Sequence, residues 1–250
     1  MNPIRLKLAT AYDGTNYQGW QVQKVGLGIQ EVIERAISNI FQEQTRLHGS
    51  SRTDTGVHAR AMIAHFDLPR EKLKMPVSKI PLALNSQVPD DIRIMEAHAV
   101  ANDFHARFSA KGKQYRYSVY NYHAHDPLLR NRAWHVPQKL DLEAMREATK
   151  HFVGKRDYAA FANNRNYEME STVRTLHRCE LRKQGRLLTF IIEGDGFLYK
   201  MCRGIVGTII QVGQGRFSSK DIERMLEARD RRLAGMTAPA HGLVLWKVFY

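Results

Sequence analysis

Residues 49–59 read GSSRTDTGVHA. The stretch is polar and carries one carboxylate, Asp54, two residues after a cation, Arg52. The sequence on either side turns apolar and periodic, which predicts a surface loop carried between two buried elements, a common setting for catalytic side chains. An Arg at this spacing can turn back onto the Asp. Its guanidinium would then stabilise the ionised carboxylate and lower its pKa. A permanently charged Asp serves as a nucleophile or electrostatic partner and is a poor proton donor. Gly56 lets the backbone bend sharply just after it. Thr53, Asp54, Thr55 and Gly56 are also ordinary formers of an Asx-turn. On chemistry alone the catalytic and the plain structural readings weigh equally.

Outward from the loop, Thr45 to Ser50 and Ala61 to Leu68 read as the strands that carry it. Upstream, Arg5 to Tyr12 alternates, with Leu6, Leu8 and Ala11 among polar residues, and ends at Asp13-Gly14, a strand running into a turn. A Gly-rich loop with Tyr17, Gly19 and Trp20 follows, Trp20 being a packed anchor. Ile29, Val32, Ile33, Ala36, Ile37, Ile40 and Phe41 recur at helical spacing. Pro76 to Asn85 reads as a helix and Asp91 to Val100 as a strand. Asp103 to Phe108 marks a crossing between halves. Lys113 to Tyr120 alternates, placing Tyr115, Tyr117 and Val119 on one face.

Further on, Asp141 caps a helix carrying Leu142, Met145, Phe152 and Val153, stopped by Gly154. Thr172 to Leu181 and Leu187 to Glu193 form a hairpin around Gln184-Gly185. Leu198, Met201, Cys202, Ile205, Ile209 and Val212 make a second helical stripe. Ser218 and Asp221 cap a helix through Met225 and Leu226. Leu243 to Tyr250 is a closing strand. Hairpin-linked strands outnumber helices, so the class is α+β with a mixed or antiparallel sheet. Two halves are expected, 1–105 with the Asp54 loop and 106–250. Each offers strands and one long amphipathic helix.

The 250 residues suffice for one large domain or two small ones. Lys and Arg total 38 against 25 Asp and Glu, and 38 − 25 gives +13, with pI about 9.9. That pI suits a nucleic-acid binder. Charge alone also serves solubility or attraction to acidic surfaces. The cations alternate with apolar residues rather than forming a basic tail, which favours a shaped polyanion as partner. Cys179 and Cys202 offer neither a disulfide framework nor zinc-finger spacing and read as small core residues. The N-terminus has no apolar leader core, and no stretch approaches ~18 uninterrupted apolar residues. A soluble cytosolic protein is expected, with no membrane contact.

Tyr115 stands in KGKQYRY, among Lys111, Lys113 and Arg116. An aromatic on a strand among cations can stack a splayed base, worth roughly 1–3 kcal/mol; it can equally be sheet core beside a solvated basic face. For Tyr117 the core reading is preferred. Arg203 lies in FLYKMCRGIVGTIIQVG, on a helix with a dense apolar stripe. A half-buried Arg there calls for a carboxylate such as Asp54, because an unpaired buried charge costs several kcal/mol. The plain alternative is a surface Arg on the first helical turn. Gly204 and Gly207 match the GXXG spacing of a phosphate clamp, but with apolar residues between them they read as helix packing. His123, His125 and Asp126 lack a third spaced ligand group, so a solvated turn is preferred to a metal site. Asp54-Thr55-Gly56 also matches the aspartic protease signature. That chemistry needs two carboxylates sharing a proton, and Arg52 opposes it.

Three separated segments, GSSRTDTGVHA, FHARFSAKGKQYRY and FLYKMCRGIVGTIIQVG, strongly resemble the three motif regions of the tRNA pseudouridine(38-40) synthase family. YDGTNYQGWQ, STVRT and TAPAHGLVLWKV do so too, in the right order over essentially the full length. Ser51 and Thr55 replace the Gly and Ala found in many members. The resemblance implies that Asp54 is the catalytic aspartate. It implies that Arg52 organises the loop and the flipped nucleotide, that Tyr115 packs on the target base, and that Arg203 pairs with the aspartate. It implies a pseudo-two-fold pseudouridine synthase fold with a central basic cleft, a homodimer whose tRNA touches both subunits, and no cofactor or metal. Neutralising about six phosphates would lower affinity roughly 10³-fold between about 50 and 200 mM salt. The alternatives are a non-catalytic tRNA- or RNA-binding protein and, remotely, a dimeric aspartic protease.

Overall fold

The computed structural model describes residues 3–163 and 171–250. The chain forms two compact units, Met1–Lys111 with Leu245–Tyr250, and Gly112–Val244. Its elements are β1 (Ile4–Tyr12), α1 (Ile29–Phe41), β2 (His48–Gly49), β3 (His58–Leu68), α2 (Ile80–Asn85), β4 (Ile92–Val100) and β5 (Gly112–Tyr120). They continue with β6 (Trp134–His135), α3 (Leu142–Lys150), β7 (Gly154–Asp157), β8 (Val173–Gln184), β9 (Leu187–Gly194), α4 (Met201–Gly213), α5 (Asp221–Ala228) and β10 (Leu243–Phe249). The class is α+β. None of the described helices is long and apolar enough to cross a membrane.

In the first unit the strands run in the order β4-β1-β3-β10, with β2 paired to β3. β1 is antiparallel to both neighbours. Its buried face is Leu6, Leu8, Thr10 and Tyr12, so Ala11 lies on the other face and Thr10 takes the inward place. α1 buries Ile29, Gln30, Ile33, Ala36, Ile37 and Phe41, one stripe at helical spacing. Each large apolar side chain in that stripe contributes about 1.5–3 kcal/mol.

The strand expected over Thr45 to Ser50 is only two residues long. The reason lies in α1: Leu47 N donates to Glu34 Oε1 at 2.9 Å, and Leu47 O accepts from Gln30 Nε2 at 3.0 Å. Helix side chains occupy the backbone groups that a ladder would use. The start of the Pro76 to Asn85 segment is likewise a 3-10 turn over Val77–Lys79, and α2 begins after it.

Three histidines gather beside β3. His48 stands directly across from His65 in the β2–β3 register, their rings 5.1 Å apart. His105 reaches the same ring at 4.7 Å. His65 Nδ1 accepts from Ala106 N at 3.1 Å. Its ring is buried, and that burial, helped by His105, Arg5 and His48 and opposed by Asp67, lowers its pKa from 6.5 to about 4. The folded chain therefore refuses a proton that the unfolded chain accepts. His65 gives its full stability above pH 6.5 and loses it as pH falls towards 4, at up to about 1.4 kcal/mol per pH unit. His65→Asn keeps an acceptor for Ala106 N and does not titrate. Its melting temperature should fall less steeply than the wild type's over that window; identical pH profiles would contradict this account.

In the second unit β5 pairs antiparallel with β9, β9 with β8, and β8 with β7, while β6 runs parallel to β5. The sheet of this unit is mixed. The β8–β9 turn has Gly185 at φ 59. Asp141 caps α3 through Glu143 N and Ala144 N, both at 3.0 Å. α3 ends at Lys150, so Phe152 and Val153 lie beyond it. In α4 every residue except Arg203 is buried. Cys202 is part of that helix, and buried Cys179 has its thiol pushed up to about 12 by desolvation. Ser218 and Asp221 meet ahead of α5, Asp221 Oδ2 accepting from Ser218 N at 2.7 Å and Oγ at 2.8 Å, but the N-cap position of the helix is Lys220 and no side chain caps it there.

Candidate active site

Asp54 sits in the loop between β2 and β3, half-buried. The loop leaves the sheet at Ser50, whose N donates to Ile63 O at 2.7 Å. Thr53 is then drawn inward. Its Oγ1 lies 2.8 Å from the Tyr12 hydroxyl, and its carbonyl accepts from Trp20 N at 3.2 Å. A buried hydroxyl left without such a partner would cost about 1–3 kcal/mol. Trp20 is buried, stacks on Tyr12 with centroids 6.1 Å apart, and lies against Gly49. A side chain at position 49 would meet the Trp20 ring at 2.5 Å.

After the carboxylate the chain turns back. Val57 N donates to Asp54 O at 3.1 Å, and Gly56 takes φ 77. This is the geometry of a type II turn, which places glycine at its third residue. The turn is built by backbone and does not use the Arg52 side chain, which is exposed. Two glycines of the preceding loop press on the turn from below. A Cβ at Gly14 would lie 2.0 Å from Val57 O, and one at Gly19 would lie 2.2 Å from Thr53 O. Gly19 also has φ +86. Tyr17 donates to Asp91 Oδ1, and burial raises its hydroxyl pKa. The sequence around 12–20 thus forms the seat of the Asp54 loop.

Arg203, on the first turn of α4, is half-buried. Its Nε donates to Ala238 O at 2.7 Å, and its own carbonyl accepts from Ala238 N at 3.0 Å. The chain around Ala238 is a strap laid along α4. Gly235 N donates to Thr208 Oγ1 at 3.0 Å and Met236 N to Gln211 Oε1 at 2.7 Å. Two helix glycines admit their neighbours. A Cβ at Gly207 would lie 1.9 Å from Met236 O, and one at Gly204 would lie 2.3 Å from Phe161 O. These glycines pack the helix, as expected, and do not clamp phosphate. Lys200, just before α4, takes φ 61, a left-handed conformation costly to a residue with a side chain.

Tyr115 is 5% exposed, with Phe197 edge-on at 5.0 Å. Tyr117 is fully buried and donates to Pro239 O at 2.8 Å, the core role preferred for it. His123 and His125 are exposed beside Asp126, whose carboxylate accepts from Leu128 N at 3.0 Å. They lie in a turn, and no group of three potential metal ligands occurs among the described residues. Arg52 and Asp54 share one loop of the first unit; Tyr115 and Arg203 belong to the second.

Sequence reasoning missed three parts of this arrangement. They are the Tyr12–Thr53 bond, the pressure of Gly19 on the loop, and the Ala238 carbonyl that holds Arg203. The only signals were Gly19 beside Trp20, read as a loop glycine, and TAPAHG, quoted for its resemblance alone.

Comparison with known proteins agrees with the motif order. The family model described as tRNA pseudouridine synthase matches residues 8–109 and 148–250. The tRNA pseudouridine synthase A of Acetivibrio thermocellus is 45% identical over 245 residues, covering 98% of this chain and 99% of the relative. That of Bacillus licheniformis is 45% identical over 249 residues, covering 99% of each. That of Exiguobacterium sibiricum is 43% identical, covering 98% of this chain and 96% of the relative. The Asp54 loop, its seat and the strapped α4 all fall within the matched ranges, and this chain belongs to the tRNA pseudouridine synthase family.

Proposed function

We propose that this chain isomerises uridine to pseudouridine in tRNA, at positions 38–40 of the anticodon arm. The observation that carries the proposal is Asp54, a half-buried carboxylate on a loop fixed from below by Tyr12, Gly19 and Trp20, in a chain of this family. The reaction breaks the N1–C1′ bond, turns the base and forms C5–C1′. The C5 proton leaves and N1 gains one, so the net change is redox-neutral. Three routes use the same carboxylate: attack at C6, attack at C1′, or assistance to elimination at C2′. The base must first leave its stack, at a cost of a few kcal/mol, least in a loop or at a stem end. An anticodon arm offers both.

Arg203 is assigned to pair with Asp54. As the one residue of α4 not buried, on a first turn where the helix dipole disfavours a cation, it gains from an anionic partner. Arg52, exposed on the loop, is assigned to the displaced nucleotide. Tyr115 is assigned to pack on the target base; half-buried Phe197, edge-on to it, is the group whose displacement opens the ring. The enzyme acts as a homodimer in the cytoplasm, its charge of +13 attracting tRNA.

Mapping pseudouridine in an unmodified tRNA transcript after incubation with the protein tests this reading. Conversion should be confined to positions 38–40. Binding without conversion would favour a non-catalytic RNA-binding protein, and conversion only elsewhere would overturn the assigned site.

A further inference from the structure

Phe108 is 75% exposed, yet it does not hang on a loose loop. His105 N donates to Ser109 Oγ at 2.9 Å, and Ser109 N returns a bond to His105 O at 2.9 Å. His105 Nδ1 accepts from Arg107 N at 3.1 Å and Phe108 N at 3.3 Å. His65 Nδ1 takes Ala106 N, and Ala106 O accepts from the Tyr250 hydroxyl at 2.6 Å. Arg5 Nη1 donates to Phe104 O at 2.9 Å, fixing the entry to the loop. The backbone of 104–109 is thus bonded at nearly every residue, and its effect is to hold one large apolar ring out in water. That ring is backed by His105, with centroids 4.3 Å apart, and flanked by the Arg107 guanidinium at 5.4 Å.

The charged groups on this loop and beside its base are mostly positive. Lys7 lies over the Phe104 ring at 5.9 Å, Lys111 is exposed at the end of the loop, and Asp67 is already paired with Arg5 at 2.6 Å. Asp103 is the remaining acid on the loop. A rigid exposed aromatic among cations is the arrangement that stacks an unpaired nucleobase while neutralising its phosphates. An isolated exposed apolar side chain needs no explanation; one held out by this many bonds does.

We infer that Phe108, backed by His105 and flanked by Arg107, is a stacking platform for an unpaired base of the RNA substrate. This role is separate from the four residues assigned to the reaction. It rests on the proposed function in so far as the ligand is RNA.

The test is the affinity of the full chain for an unmodified tRNA transcript, measured for wild type, Phe108→Ala, Phe108→Leu and Phe108→Trp. The platform predicts that Ala and Leu weaken binding by roughly 5- to 150-fold and that Trp restores it. Melting curves should be unchanged for all three, since the ring is exposed. Equal affinity of Phe108→Ala and wild type would overturn the platform and leave the proposed function standing. A shift of Phe108→Ala from dimer to monomer in sedimentation would overturn it too, by making the ring a contact between copies. A wild type that fails to bind tRNA would overturn both readings.

Discussion

Asp54→Asn should remove isomerisation while leaving tRNA binding intact. The substitution keeps the size and shape of the side chain. It removes the negative charge and the nucleophilic oxygen pair. The Asp54 loop is set by backbone and by Thr53, Gly56 and Trp20, so the amide should occupy the same place. All three routes to pseudouridine need the carboxylate. The rate should therefore fall by at least about 10³-fold. Binding responds differently. Loss of one anion from a protein of charge +13 does not weaken attraction to a polyanion, so affinity should be equal or tighter. A rate within about tenfold of wild type, some 1.4 kcal/mol, would remove Asp54 from the chemistry. A parallel loss of binding and rate would make it a structural residue.

Gly19→Ala should be nearly as damaging, although residue 19 bears no chemistry. Two penalties coincide there. The backbone has φ +86, which costs a residue with a Cβ about 1–2 kcal/mol. The new methyl would also lie 2.2 Å from Thr53 O and 3.0 Å from the Asp54 carbonyl carbon. Both are backbone atoms, so no rotamer change relieves the clash, and the loop itself must move. A displacement of about 1 Å in a reacting group can cost about 10²-fold in rate. Gly185→Ala is the control. It has φ +59 in the β8–β9 turn and nothing within 4 Å, so it carries strain without a clash. Melting should fall in both variants, and activity at a temperature where both are folded should fall only in Gly19→Ala. Equal activities would show that the seat of the loop does not set the carboxylate.

The long periodic elements are legible in the sequence. α1 and α4 follow from apolar stripes at helical spacing, and β8–β9 from two apolar runs around Gly185. Position 45–47 was not legible. The backbone N–H and carbonyl of Leu47 are taken by Glu34 and Gln30, side chains of a helix 13 to 17 residues earlier, and nothing local announces that. β1 is legible, but the inward place of Thr10 is not, because a buried threonine has no apolar signature. For the site, Asp54 stood out as a lone carboxylate in a polar loop between apolar runs. Its equal weighing against an Asx-turn was broken by resemblance, not by chemistry. The anchoring of Arg203 depends on a carbonyl 35 residues away, which no spacing rule encodes.

The central claim is that this carboxylate moves a uracil from N1 to C5 attachment, and loss of the C5 hydrogen reports that step alone. A tRNA transcript labelled with tritium at uridine C5 should release label to water with the wild type. Its yield should match the pseudouridine formed, and Asp54→Asn should release none above background. Equal release by both proteins, or no release by the wild type from a tRNA that it binds, would contradict the account.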